Sequence, residues 1–165
     1  MACRISSAWE AEALRWQDLG IRVVINRIGL VLASHGGGLP MMLPPFRKGF
    51  APYFGRGRQV YPWIHLDDMC KMVIHEVENE GLLRVYNAAA PFPVDQKDLN
   101  RAIAESLGRR VISMPVPRFV LSLFLGERAG LLADSWRLSA EKISKTGFTF
   151  QYPHIDEALK DLLAA

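Results

Sequence analysis

The sequence predicts an α/β fold, in which helices alternate with strands buried in a largely parallel sheet. Three observations carry that prediction. A helical stretch over residues 6–19 runs straight into Ile21–Leu32, IRVVINRIGLVL, whose isoleucine and valine density is that of a strand buried on both faces. Trp63–Pro91, WIHLDDMCKMVIHEVENEGLLRVYNAAAP, reads as a strand end, an amphipathic helix, a turn and a second strand that closes on Asn87 and small residues. Half of the 165 residues are hydrophobic, enough for the core that such layers enclose.

The elements follow in order. Ser6 or Ser7 stands where a cap would start the first helix, Trp9, Ala13 and Trp16 share one of its faces, and Gly20 suits its C-terminal cap, where a positive φ is cheap. Beyond the Ile21–Leu32 strand, Ser34–Pro45 reads as a glycine- and proline-rich connection around the apolar segment LPMML, and Arg47–Gly57 as a loop. Gln59–Ile64 is a short strand. Asp67 or Asp68 caps a helix that reaches Glu80, with Met69, Val73 and Val77 on one face, and Gly81 ends it before a strand over Leu83–Ala88. Asp95 and Asp98 open the next helix, where the dipole favours acids; Leu99, Ile103 and Leu107 are its stripe and Gly108 its stop. Val111–Val116 is extended. From Pro117 the composition shifts: Phe119–Leu125 and Ala129–Leu132 are apolar and helix-compatible, Leu138, Ile143 and Phe148 continue the pattern, and Pro153–Leu163 is a last helix with Ile155, Leu159, Leu162 and Leu163 as its apolar set. The division expected is 1–110 for the α/β part and 111–165 for a small, mainly helical tail.

The formal net charge of +3 is too small to imply nucleic acid or an anionic membrane as partner. Cys3 and Cys70, isolated from one another, fit a reduced compartment, and the scattered His35, His65, His75 and His154 form no metal-ligand spacing. No secretory leader is read at the N-terminus, and the longest apolar run, Phe119–Leu125, is too short to span a bilayer, so a cytoplasmic protein is expected.

Five motifs bear on chemistry. Arg27-Ile28-Gly29 ends a buried strand and enters a loop, the place where open α/β sheets bind ligands; the arginine suits a phosphate or carboxylate, or equally a local acid such as Asp67 or Asp68. His35-Gly36-Gly37-Gly38 has the look of an oxyanion loop, but no GxSxG nucleophile elbow accompanies it and no GxGxxG fingerprint exists, so it reads as a turn. Gly55-Arg56-Gly57-Arg58 is the best anion-binding candidate, set against a solvated hairpin turn as the commoner reading. His65 and Asp67 would share a face of an extended strand as an acid–base pair, against a packed histidine beside a helix cap. Asn87 suits a buried amide that fixes a turn, and Trp9, Trp16, Trp63 and Trp136 suit core and interface.

In order and spacing, GIRVVINRIGLVLASHGG, MLPPFRKG, GRGRQVYPWIHLDDM and VYNAAAP resemble the C-terminal half of an atypical or extended short-chain dehydrogenase/reductase. The match narrows to NAD-dependent epimerase-family proteins, some of which carry a "cell division inhibitor" label. The opening CRISSAWEAEAL is similar to that family's Cys-x-x-Trp-Glu helix, and the tail from MPVPRFV to EALKDLL resembles its C-terminal domain of unknown function. The resemblance implies the C-terminal portion of a Rossmann-like fold, with the glycine-rich NADP(H) site in an N-terminal half that these residues do not include. It places Arg27, Ile28 and Gly29 beside the nicotinamide and Arg58 and His65 along the substrate cleft. The superfamily's Tyr-x-x-x-Lys pair would fall near Ala2 and Ser6, where neither residue type stands, so no catalytic residue is assigned. The expected function is a partial NAD(P)-dependent epimerase or oxidoreductase that contributes the substrate side of the cleft. The alternative is a non-catalytic fragment or binding module completed by another chain. An incomplete sheet leaves a strand edge open, which predicts self-association.

Overall fold

The structure, a computed structural model, describes residues 2–116 and 135–164, with side chains from Ile5 onward. The apolar segments expected over Phe119–Leu125 and Ala129–Leu132, and the side chain of Cys3, lie outside those residues. Helix α1 spans Ala2–Leu14 and tightens into a 3₁₀ turn over Arg15–Leu19, which Gly20 closes at φ 76°. The helix therefore starts ahead of Ser6 and Ser7, and neither caps it.

The single strand expected over Ile21–Leu32 is two: β1, Val24–Ile28, and β2, Leu30–Leu32. Gly29 divides them because the chain passes against the Pro62 carbonyl, where a Cβ would lie 2.6 Å from the oxygen. β1 runs parallel to β6, Arg84–Ala88, and β2 parallel to β5, Trp63–His65. A third parallel pair joins β3, Phe50–Phe54, to β8, Ile112–Val116, and a short antiparallel pair joins β4, Val60–Tyr61, to β7, Val94–Asp95. The helices between and after them are α2, Leu39–Arg47; α3, Leu66–Glu78; α4, Gln96–Ser106; α5, Glu141–Ser144; and α6, Ile155–Leu163.

Further elements differ from the sequence reading, among them the expected Gln59–Ile64 strand, which Pro62 divides into β4 and β5. α2 stands where a connection was expected, because Leu39, Leu43 and Phe46 form a buried helical stripe; Pro40 sits in its first turn, where no amide is needed, and only Pro44 and Pro45 lie inside it. β3 replaces part of the expected Arg47–Gly57 loop, held by a partner, β8, that lies far along the chain. α4 forms as its sequence dictates: Asp95 caps it by accepting from the Asp98 amide at 2.9 Å, and Gly108, at φ 61°, follows its end.

The larger core joins Leu32, Leu39, Phe46 and Trp63 to Leu99 and Ile103 of α4 and to Ile155, Leu159 and Leu162 of α6. A second cluster, Ile64, Met72, Tyr86, Ile143 and Phe148, lies around β6, α3 and α5. No residue from 5 to 31 is buried. β1 was expected to be buried on both faces and is only half-covered, because among the described residues β6 is its one strand neighbour.

Candidate functional site

β1 and β6 both end, in register, at Ile28 and Ala88, which puts Arg27-Ile28-Gly29 at the carboxyl end of a parallel pair. Arg27 is gripped by Glu10 of α1, with Nε on Oε1 and a second guanidinium nitrogen on Oε2, both at 2.7 Å. That bidentate bond, more than the charge alone, holds the Glu10 carboxyl below its ordinary range. The local acid that Arg27 meets is thus Glu10, not Asp67 or Asp68. Ile28 is 56% exposed, an open apolar wall, and the Gly29 amide donates to the Ala88 carbonyl at 3.0 Å.

His65 ends β5 opposite Leu32 of β2 and is buried. Its Nδ1 accepts from the Asp67 amide at 3.0 Å, so the imidazole, rather than an aspartate, caps α3. Its ring stacks on Tyr152 at 4.0 Å, and Nε2 lies 3.2 Å from an Asp161 oxygen without hydrogen-bond alignment. The bond to Asp161 raises the Tyr152 hydroxyl. Asp68, fully buried, accepts from the amides of Gln151 and Tyr152 at 2.8 and 2.9 Å. Together His65 and Asp68 clasp the start of α3 to the segment that leads into α6.

Arg58 belongs to a different constellation. The Gly55–Arg58 segment follows the carboxyl end of β3 as a turn, not the hairpin expected, since β3 pairs with β8 and β4 with β7; Gly55 is at φ 56° and Gly57 at φ 68°. Gly57 has no room for a Cβ, which would meet the Lys97 side chain at 2.8 Å. Buried Gln96 and Asn100 of α4 fix the frame: Gln96 accepts from the Phe54 amide at 2.9 Å, and Asn100 donates to the Pro52 carbonyl at 2.8 Å. Lys97 is held with its ammonium 4.9 Å from the centre of the Tyr53 ring. The sequence reading did not single out Tyr53, Lys97, Gln96 or Asn100; nothing local marks them, because the turn meets α4 only in the fold.

The remaining motifs are structural. Gly37, at φ 68°, folds the triple-glycine turn back onto β2 through a bridge to Leu32. Asn87 donates to the Ser139 carbonyl at 3.0 Å. Burial pushes the Tyr61 phenol up to about 12. Trp63 is core, whereas Trp9, Trp16 and Trp136 are exposed, and no metal-ligand cluster exists among the described residues. No helix of the described residues is long and apolar enough to cross a membrane.

Comparison with known proteins agrees with the fold. Residues 116–162 match a domain of unknown function, DUF1731. The chain is 37% identical over 156 residues to the epimerase family protein YfhF of Bacillus subtilis, covering 94% of this chain and 51% of that one. It is 36% identical over 155 residues to an epimerase family protein of Staphylococcus saprophyticus, covering 94% and 52%. Human epimerase family protein SDR39U1, solved with NADPH, superposes with a TM-score of 0.82 at 31% identity, over 87% of this chain and 48% of that one. The UDP-glucose 4-epimerase of Thermus thermophilus, solved with NAD, has a TM-score of 0.71 at 17% identity over 93% and 49%, a likeness of fold alone. The chain spans about half the length of the curated relatives it matches. In sequence and in fold it corresponds to the C-terminal part of epimerase family proteins, a Rossmann-like α/β architecture.

Proposed function

We propose that this chain contributes the substrate side of an NAD(P)-dependent epimerase or oxidoreductase cleft in the cytoplasm, with 111–165 as its family-specific tail. The observation that carries the reading is the carboxyl end of the β1–β6 pair, where ligands of open α/β sheets bind. There Ile28 presents an exposed apolar wall and Arg27 is oriented by Glu10, a fit for the nicotinamide end of NADP(H). NADP(H), when bound, supplies hydride transfer; a glycine-rich cradle for its pyrophosphate is not among the residues of this chain. Arg58 addresses the substrate from its turn. His65, buried and bonded within the clasp, supports the cleft from behind.

The second reading, a non-catalytic binding module completed by another chain, is favoured by the unburied stretch from 5 to 31, and self-association through the same face is the variant of it that needs no other protein. A thermal melt with and without saturating NADPH separates the two. A ligand of the folded state at a hundredfold excess over its dissociation constant raises stability by about 2.7 kcal/mol. A clear upward shift supports the oxidoreductase reading; a cooperative melt that NADPH leaves in place favours the module.

A further inference from the structure

The acids of this chain avoid one part of the fold. Residues 33–66 hold four arginines and lysines and no acid, and residues 106–116 hold two arginines and no acid. These two stretches meet in the β3–β8 pair, which runs in register from Phe50 opposite Ile112 to Phe54 opposite Val116. At the amino end of the pair, α2 closes on Arg47 and Lys48, and the turn after α4 brings in Arg109 and Arg110. The two sets touch: Arg109 donates to the Arg47 carbonyl at 3.0 Å, and the Ile112 amide donates to the Gly49 carbonyl at 2.9 Å. The net charge of +3, which speaks against an anionic partner for the molecule as a whole, averages this end with acids that lie elsewhere.

All four cations are exposed. Among the described residues none of them is in an ion pair, and Arg109 alone makes a side-chain hydrogen bond. A cation at a helix C-terminus complements the dipole, which accounts for basic residues after α2 and α4. It does not account for what lies beside them. Ile112 is 69% exposed, and Phe50 and Met114 are exposed as well. Ile112 and Met114, two apart on one strand, share a face, and Phe50, the register partner of Ile112, stands on that same face. Ala51 and Ser113 belong to the opposite face, where they line a cleft with Glu105 and Arg109. Glu105, the acid nearest in sequence to these cations, therefore stands away from the apolar face. The result is an apolar strand face with uncompensated positive charge along its amino end.

We propose that this end of the β3–β8 pair docks on an anionic lipid bilayer, with Arg47, Lys48, Arg109 and Arg110 on the headgroup phosphates and Phe50, Ile112 and Met114 at the acyl boundary. Charge and polarity choose the partner. A polyanionic surface offsets four cations that no acid of the fold meets. A nucleic acid would match them too, but its phosphates offer nothing to Ile112 and Met114, whereas a bilayer interface takes cations and apolar side chains side by side. Neither signal is strong alone, and together they give reversible binding. The docking end lies away from the cleft: the Gly55–Arg58 turn follows the carboxyl end of β3, about 13 Å along the strand. A docked chain keeps that turn on the aqueous side. The inference is independent of the epimerase reading and stands or falls without it.

The test is flotation of the full chain with vesicles of phosphatidylcholine alone and of phosphatidylcholine mixed with phosphatidylglycerol; aggregated protein does not float. Circular dichroism establishes that each variant is folded. The chain is expected to float with the anionic vesicles and not with the neutral ones, and less so as salt is raised. Each cation near an anionic surface is worth about fivefold in affinity, so the Lys48→Gln/Arg110→Gln double variant, which removes two side chains without partners, is expected to bind at least about tenfold more weakly. Ile112→Ser/Met114→Ser is expected to bind several-fold more weakly at every salt concentration. Arg56→Ala/Arg58→Ala, at the other end of β3, is expected to bind as wild type does. No flotation of wild type with anionic vesicles at low salt overturns the proposal, and so does equal binding by the Lys48/Arg110 variant. A loss as large in the Arg56/Arg58 variant overturns it too, because total charge rather than this surface would then set the binding. Binding that Ile112→Ser/Met114→Ser leaves unchanged, or that duplex DNA removes at equal phosphate concentration, would make this end a general polyanion surface and overturn it as well.

Discussion

Residues 5–31 and the wall made by α2, α4 and α6 are both rich in apolar side chains, and the fold treats them oppositely. In the wall, Leu39, Leu99, Ile103 and Leu159 have no exposed surface. In the first stretch, Trp9 is 74% exposed and Leu19 73%, and the tie from α1 to β1 is a surface ion pair, Glu10–Arg27. The wall is the more finished side: Asp95 caps α4, and Asp68 of α3 satisfies the two amides ahead of α6. The first stretch has the composition of a buried layer without the cover. The carboxyl end of β1, where the cofactor wall is proposed, lies on the rim of that uncovered layer, so the two regions divide the labour between holding the fold and meeting something else.

Substitutions at matched tryptophans test the contrast hardest. Trp63 is fully buried and its indole N–H donates to the Phe92 carbonyl at 3.2 Å. Trp63→Ala is expected to cost about 3–5 kcal/mol in denaturant unfolding, while Trp9→Ala changes stability by less than about 0.5 kcal/mol. A large loss at Trp9 would mean that α1 is part of the folded core.

Asp68 sharpens the finished side. Asp68→Ala leaves the part-buried amides of Gln151 and Tyr152 without this acceptor and is expected to cost about 1–3 kcal/mol, with Asp68→Asn costing less because the carboxamide oxygen still accepts. Equal losses in chemical denaturation would show that charge, rather than the acceptor geometry, makes the clasp.

The smallest effect comes where the two regions touch. Asn26 of β1 donates to Glu76 of α3 at 2.6 Å, while Asn26 Oδ1 and Glu76 Oε1 are buried acceptors without a donor among the described residues. Burial pushes the Glu76 carboxyl up, opposed by Asn26, His75 and Arg22. The folded state therefore keeps this proton to a higher pH than the unfolded state does. The stability it gives is full below the ordinary glutamate range and lost as pH rises through the raised value. Glu76→Gln supplies a permanent donor and is expected to raise the melting temperature near neutral pH by a few degrees, with no gain at acid pH. A gain that does not depend on pH would assign it to packing.

What the sequence made legible follows the same division. α4, β6 and α6, written in a strong local period, could be read within a few residues of their ends; the bounds of α3 could too, but of the face expected for it Val73 and Val77 are exposed, and Asp68, Met72 and Glu76 are buried instead. α2 was hidden by its prolines, and β3 by a partner that arrives only with β8. Among the site residues, Arg27 could be placed at a strand end but its acid could not, because Glu10 reaches it only when α1 lies beside β1. Asp67 or Asp68 is the cap of α3 that the sequence suggests, whereas the His65 imidazole caps it in the fold. The Gly55–Arg58 turn could be read as basic and glycine-rich, yet its neighbours Lys97, Gln96 and Asn100 come from α4, and spacing along the chain does not encode that encounter.

The uncovered layer is tested most directly by hydrogen–deuterium exchange on the full chain, at a concentration where light scattering finds a monomer. Amides of α1 and the 3₁₀ turn after it are predicted to exchange at least about a hundredfold faster than those of α4 and α6, since a helix of this length with little packing is marginal in water. Equal protection in α1 and α4 would contradict the account, because it would mean that residues 5–31 fold as part of the same cooperative core.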